Sequence, residues 1–245
     1  MPTKHAVVFD FDGTLTPRFH ISLFNVVEKG VLPSKYLQEA EYVRNKYIYK
    51  AMRGTLTRQE ELTWLKENIN IFVEAGVTIK QVEKALKHVK FRDNAQECLA
   101  WLKGEGVPIA VVSYGIYQFI EVVLKNNHAQ PLIDSIYATK LDVDQKTGKI
   151  IGFHADTVVL PTQKGDASLH FADLMNIDKS KILAVGDSQI DSRLGFLKEN
   201  RFGIAEDHDQ LRRIENVMGK SVITHDFAPV IEWLYDKIAN KKSPA

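Results

Sequence analysis

The chain has little of what marks several large classes of protein. Its 245 residues include one cysteine, Cys98. No internal disulfide can form, which excludes small disulfide-stapled scaffolds, and a reducing, cytoplasmic setting is the expectation that fits best. Charge of one sign is missing too: 32 Lys and Arg stand against 31 Asp and Glu, a formal net charge of +1. Nucleic-acid binders usually carry a basic excess, so no nucleic-acid partner is expected. Long hydrophobic runs are absent. The most apolar window, 107–124, is broken by Ser113-Tyr114-Gly115 and carries Gln118 and Glu121. A membrane span needs about 20 apolar residues, so no membrane partner is expected. The first apolar stretch runs into Asp10 and Asp12 and does not read as a signal peptide. There is no internal repeat and no low-complexity tract.

What is present is an ordinary globular composition, 44% hydrophobic and 26% charged. The length allows one large domain, or one domain with an insert. Short β-rich apolar runs at 6–9, 107–112, 135–138, 182–185, 202–205 and 221–224 alternate with helical patterns. That alternation predicts an α/β fold with a parallel sheet, whose ligands bind at the carboxyl ends of the strands.

Between the first two runs every signal is helical. Pro33 and Ser34 open one helix, and Gly54 stands at a C-cap position. Thr57 to Glu60 and Thr78 to Gln81 read as capping boxes, with Gly76 closing the helix between them. Asp93 is expected to cap a helix carrying Cys98, Leu99, Trp101 and Leu102. The division that follows is a core of 1–16 and 91–245 and an all-helical insert of 17–90 after the first strand. Its place over the open end of the sheet suggests a cap, the plainer alternative being a packing extension. Residues 140–151 read as two short strands joined at Lys146-Thr147-Gly148. Asp142 and Asp144 only superficially suggest a calcium loop, because the glycine falls one place late and no Glu follows at the right distance.

The strongest chemical signal is Asp10-Phe11-Asp12-Gly13-Thr14, where a buried strand delivers two carboxylates to the open end of the sheet. Acids this close repel unless a cation or a division of roles stabilises them. Hard oxygen ligands suit Mg²⁺, and a carboxylate can attack phosphorus as a nucleophile. After the second run comes Ser113-Tyr114-Gly115, a hydroxyl and turn amides able to meet phosphate oxygens. Lys164 stands at the start of a helix expected to be amphipathic through Leu169, Phe171, Ala172, Leu174 and Met175. A cation there opposes the helix dipole unless it meets an anion. The run at 182–185 ends in Gly186-Asp187, with Asp191 four places on. Each signal has a bland reading as turn or cap residues, but their coincidence at four strand ends points to one site.

In those four motifs and their order the chain resembles the haloacid dehalogenase superfamily, on its phosphatase branch. The resemblance implies a Rossmann-like core with a C1-type helical cap. It implies that Asp10 is the nucleophile and Asp12 the general acid/base. Thr14, Ser113, Tyr114, Gly115 and Lys164 would bind the phosphoryl group. Mg²⁺ would be held by Asp10, the backbone carbonyl of Asp12 and Asp187, with support from Asp191. The activity implied is hydrolysis of a small phosphorylated metabolite through an aspartyl phosphate. Asp12 argues against true dehalogenases, which lack that acid. Cap type and Lys164-Gly165 resemble phosphoserine phosphatases, yet Phe19, beside His20, stands where those commonly carry a substrate-binding Glu. The stretch 186–191 and the strand pair before Lys164 resemble pyrimidine 5′-nucleotidases more. A phosphotransferase or mutase would use the same residues, whereas a non-catalytic relative would be expected to lose some of them. Trp64, Trp101 and Trp233 are expected in the core. Arg18, His20, Arg44 and Arg53 are surface charges or substrate readers, and His170 is structural or exposed. Oligomeric state is left open.

Overall fold

The computed structural model describes residues 5–18, 22–52 and 55–239. Phe19, His20, Arg53 and Gly54, named above, lie outside the described residues. The first strand, β1 (Ala6–Phe9), is buried at every position, as a central parallel strand must be. Four helices follow. In α1 (Leu23–Val31), the Ser22 side chain caps the start by accepting from the Asn25 amide. Pro33 precedes α2 (Ser34–Met52). Both capping boxes form, Thr57 with Glu60 on α3 (Arg58–Glu74) and Thr78 with Gln81 on α4 (Ile79–Leu86). Gly76 takes φ 63° just past α3, where a left-handed residue ends the helix without a Cβ clash.

Then come α5 (Ala95–Gly104), β2 (Ile109–Ile116), α6 (Tyr117–Asn126), β3 (Ser135–Thr139), the pair β4 (Leu141–Val143) and β5 (Ile150–Phe153), and α7 (Lys164–Leu174). The chain finishes with β6 (Ile182–Gly186), β7 (Arg201–Ala205), α8 (His208–Ile214), β8 (Lys220–Ile223) and α9 (Ala228–Ile238). The main sheet has six strands in the order β3-β2-β1-β6-β7-β8, and its neighbouring strands are parallel. The chain winds outward from β1 to one side and then from β6 to the other. The carboxyl end of β1 is therefore the topological switch point, where such sheets bind ligands. Among the described residues no helix is long and apolar enough to cross a membrane.

Three local expectations are corrected. Asp93 does not cap α5. Its carbonyl accepts from the Phe227 amide, which holds it in line with the chain before α9. The cap position falls to Asn94, at φ 62° and without a side-chain cap bond. The second strand does not stop at Val112 but runs through Ser113-Tyr114-Gly115 to Ile116, with its pairing to β3 shifted in between. Ser113 thus sits on a bulged strand end rather than a free turn, a device that re-aims side chains beside sites. In α7 the buried face is Ala167, Ser168, Phe171 and Ala172 with Lys164, while Leu169 and Leu174 are exposed.

The helices α1–α4 are not joined to the sheet by linkers alone. Phe24 and Phe72 both meet Phe119 of α6 edge-to-face, at 5.7 and 6.1 Å. Leu65, Ile69 and Phe72 belong to the same apolar cluster as Val7 and Phe9. The β4–β5 pair reaches the α3–α4 junction, where Ile79 donates to the Gly148 carbonyl and Ile150 to that of Val77. Its tip is an ordinary turn: Asp144 accepts from the Lys146 and Thr147 amides and the Thr147 hydroxyl.

Candidate active site

Asp10 follows directly on β1 and is buried. Between Asp10 and Thr16 the chain turns back through Gly13, at φ 81°. A Cβ on Gly13 would lie 2.5 Å from Asp187 Oδ2, so this close approach of two strand ends requires glycine. Lys164, at the start of α7, donates from Nζ to Asp10 Oδ1 at 2.5 Å and to Asp191 Oδ1 at 2.6 Å. All three side chains are buried. The lysine that a helix dipole would disfavour has thus met two anions.

Asp10, Asp187 and Asp191 bring one carboxylate oxygen each within 4.8 Å of one another. Asp191 Oδ2 accepts from the Asp187 and Ser188 amides and the Ser188 hydroxyl. Asp187 accepts from Gln210 Nε2 at its carbonyl, 2.7 Å, and at Oδ2, 2.9 Å. Asp12 Oδ1 accepts from the Leu23 amide at 3.0 Å, which ties this acid to the first turn of α1.

The electrostatics follow from too many acids in a dry place. Burial and the Asp191 charge push Asp10 up to about 7, against the opposing pull of Lys164. Loss of water raises Asp12 to about 6, outweighing the Leu23 amide and Lys164. Asp187 is raised well above the ordinary carboxylate range, by burial first and then by Asp191 and Asp10. Burial alone would lower Lys164, but the charges of Asp10 and Asp191 win and hold it above its usual value. An acid poised near neutrality is what proton transfer requires.

A cavity of about 250 Å³ opens over Asp10, Asp12, Ser113, Gly115 and Lys164, and its far wall is built by α1–α3. Ser113 Oγ accepts from the Gly115 amide at 3.0 Å. Among the described residues no acceptor takes the Ser113 hydroxyl hydrogen. Thr14 donates weakly to Asp10 Oδ2, at 3.4 Å. The Tyr114 hydroxyl is committed elsewhere, to the Glu61 carbonyl at 2.8 Å, which leaves its backbone for any phosphate contact. Trp64 stacks on Tyr47 at 5.7 Å and lines the cavity, so it packs as expected but also faces the site. Arg44 faces it too, paired with Glu28, whereas Arg18 lines a separate groove beside Asp187. His170 is exposed and meets the Tyr137 hydroxyl.

Reading the sequence missed Glu28, Asn25, Gln210, Arg92 and Glu206. Glu28 had a signal: it is four places after Phe24 and three before Val31, on the apolar face of α1. Asn25 interrupts the apolar run of α1 and Glu206 stands directly after the apolar run of β7, whereas Arg92 and Gln210 carried no local signal.

Known proteins resemble this chain in sequence and in fold. The family model for haloacid dehalogenase-like hydrolases matches residues 4–195. A phosphoserine phosphatase of Methanocaldococcus jannaschii is 28% identical over 188 residues, which is 77% of this chain and 79% of that protein. Among solved structures, a phospho-aspartyl intermediate analogue of phosphoserine phosphatase superposes with a TM-score of 0.69 at 20% identity, covering 94% of this chain and 99% of that one. Cytosolic 5′-nucleotidase IIIB bound to cytidine superposes with a TM-score of 0.77 at 19% identity, covering 96% and 86%. With its paired acids after β1, its lysine on α7 and its acid pair after β6, this chain belongs to the haloacid dehalogenase-like hydrolases.

Proposed function

We propose that the protein is a phosphomonoesterase that hydrolyses a small phosphorylated metabolite through an aspartyl phosphate on Asp10. The observation that carries this reading is the Lys164 ammonium, shared between Asp10 and Asp191 at the floor of the cavity. It holds the nucleophile in place and leaves a cation beside the position an anionic phosphoryl group would take.

The residues also suit Mg²⁺. Three clustered, buried carboxylates face one ammonium, so negative charge is left over there. The missing Cβ of Gly13 keeps the space against Asp187. Asp10, the Asp12 carbonyl and Asp187 would hold the ion, with Asp191 in support. When bound, it would draw charge from the phosphoryl oxygens and lessen their repulsion of the nucleophile.

Asp10 attacks phosphorus in line. A P–O bond forms as the bond to the leaving oxygen breaks, and Asp12 gives its proton to that oxygen. Asp12 then takes a proton from water, which displaces Asp10 from phosphorus. The Ser113 hydroxyl and the backbone at Tyr114 and Gly115 are positioned to meet phosphoryl oxygens. The helices 23–86 act as the cap that sets selectivity, with aromatic faces from Phe24 and Trp64 and the Glu28–Arg44 pair in the wall. The single thiol, Cys98, is pushed up to about 12 by burial and is inert. It suits a reducing cytoplasm but takes no part in the chemistry.

The test is hydrolysis of p-nitrophenyl phosphate with Mg²⁺, before and after exhaustive chelation, with and without alcohol acceptors. Metal-dependent release of inorganic phosphate is expected, and Asp10→Asn should abolish it. Full turnover without metal would sink the role of Asp187. Transfer to acceptors in preference to water would make the protein a phosphotransferase.

A further inference from the structure

Arg92 lies in the segment that returns from the helical insert to the core. Its guanidinium is fully buried, which is costly unless every edge is satisfied. Nη2 donates to the Gly13 carbonyl at 2.7 Å, and Nε to that of Thr14 at 3.1 Å. The Arg92 amide donates to the Leu15 carbonyl at 2.8 Å. One residue therefore receives three successive carbonyls of the loop that follows the paired acids. The next carbonyl back along the chain is that of Asp12.

The guanidinium also reaches across the sheet. Nη1 donates to the Thr224 carbonyl after β8 at 3.2 Å, and Nη2 to Glu206 Oε1 after β7 at 2.7 Å. The same Glu206 oxygen accepts from the Arg18 amide at 2.6 Å, on the segment leading out to the insert. The Glu206 amide in turn donates to Gln210 Oε1 at 2.8 Å, and Gln210 holds Asp187.

We propose that Arg92 and Glu206 form a positioning clamp that fixes the Asp10–Thr14 loop, and with it the Asp12 carbonyl, relative to Asp187, while pinning both connections to the helical insert. The clamp touches neither phosphate nor nucleophile. It acts by setting backbone direction. This assignment rests on the phosphatase reading for its kinetic consequence but not for its effect on cation binding.

Arg92→Lys keeps the charge but cannot span the Gly13, Thr14 and Glu206 contacts. Glu206→Gln keeps the shape and weakens the grip on both segments. Four measurements apply at a temperature well below unfolding: circular dichroism, Mg²⁺ affinity by calorimetry, hydrogen exchange, and kcat and KM on p-nitrophenyl phosphate. Both variants should remain folded. Displacing reacting groups by about 1 Å costs on the order of 100-fold in rate, so Arg92→Lys should lose ten-fold or more in kcat with KM within about two-fold. Mg²⁺ affinity should fall several-fold in both variants. Hydrogen exchange should quicken at Asp12–Leu15 and at Arg18. If Arg92→Lys is folded and its kcat and Mg²⁺ affinity stay within two-fold of the parent, the clamp is wrong. The same holds if the loss vanishes on cooling, which would mark simple destabilisation. If the parent protein hydrolyses no phosphate ester, the phosphatase reading fails, and cation affinity and exchange alone decide on the clamp.

Discussion

Asp10 and Asp12 are two residues apart, yet their surroundings differ in a way that suits the separate roles proposed for them. Asp10 is gripped by Lys164. Asp12 accepts from the Leu23 amide and lines the cavity, so in the proposed reaction it can exchange a proton with a ligand. Asp10→Asn should show no phosphoryl transfer at all. Asp12→Asn should still release nitrophenolate, a leaving group that needs little protonation, in a burst of no more than one per enzyme. Hydrolysis should then stall, and intact-mass analysis should find the phosphoryl group on Asp10. Phosphate on another residue would overturn the division of roles. In the opposite wall, Glu28 accepts from Arg44 and from Asn25. Its carboxyl lies above the usual range because burial outweighs Arg44. Arg44→Met leaves that buried acid without its cation and should cost about 1–3 kcal/mol in urea denaturation. Adding Glu28→Gln should recover part of the loss. The single variant should also reorder KM among phosphate esters while changing p-nitrophenyl phosphate turnover far less.

At the scale of elements, the helices that carry the cavity wall are started by short local devices. The helix α4 has eight residues, too few to persist alone in water. Thr78 and Gln81 supply its cap, and the neighbouring backbone is anchored on the β4–β5 pair through Gly148 and Val77. Thr78→Ala should cost about 1 kcal/mol and be visible as a lower denaturation midpoint with an unchanged slope. An unchanged midpoint would mean that packing on α1 and α6, not the cap, sets the helix. The wall is also latched to the core by the Tyr114 hydroxyl on the Glu61 carbonyl and by the Thr162 hydroxyl on Glu61 Oε2, both at 2.8 Å. Excising the insert would expose Phe119 and the apolar surface that Phe24 and Phe72 now cover. The insert is therefore part of the core as well as a roof over the site.

The molecule as a whole holds a concentrated negative site on a chain of almost no net charge. Without a metal ion, folding must bury Asp10, Asp12 and Asp187, and Asp10 and Asp187 also feel the charge of Asp191. Their folded pKa values lie above the unfolded value of 3.8, at about 7 for Asp10 and about 6 for Asp12. The folded state thus binds protons more tightly than the unfolded one. Stability from this cluster is greatest below the unfolded pKa and is lost as pH rises through the folded values. A dication favours the charged forms and reverses that loss. Saturating Mg²⁺ should raise the melting temperature little near pH 5 and clearly more near pH 7.5, with protons released on binding near pH 6. Equal increments at both pH values would mean that the ion binds elsewhere.

The sequence by itself determined the order of strands and helices, because buried parallel strands read as short apolar runs and helix starts as capping boxes. It also marked the residues of the candidate site, since Asp10, Asp12, Ser113, Asp187 and Asp191 stand at or just past the ends of apolar runs and Lys164 stands at a helix start. The tertiary structure alone decided the rest. Burial and mutual repulsion decided how far each acid is raised, which depends on neighbours up to 181 positions away in the chain. Packing decided that α1–α4 share the core of the sheet through Phe24, Phe72 and Phe119. Long-range closure decided that Arg92, an unremarked charge in a connecting segment, donates to three successive carbonyls of the loop after Asp12. Local patterns report what a residue's own segment does. They carry no record of what a distant segment brings to it.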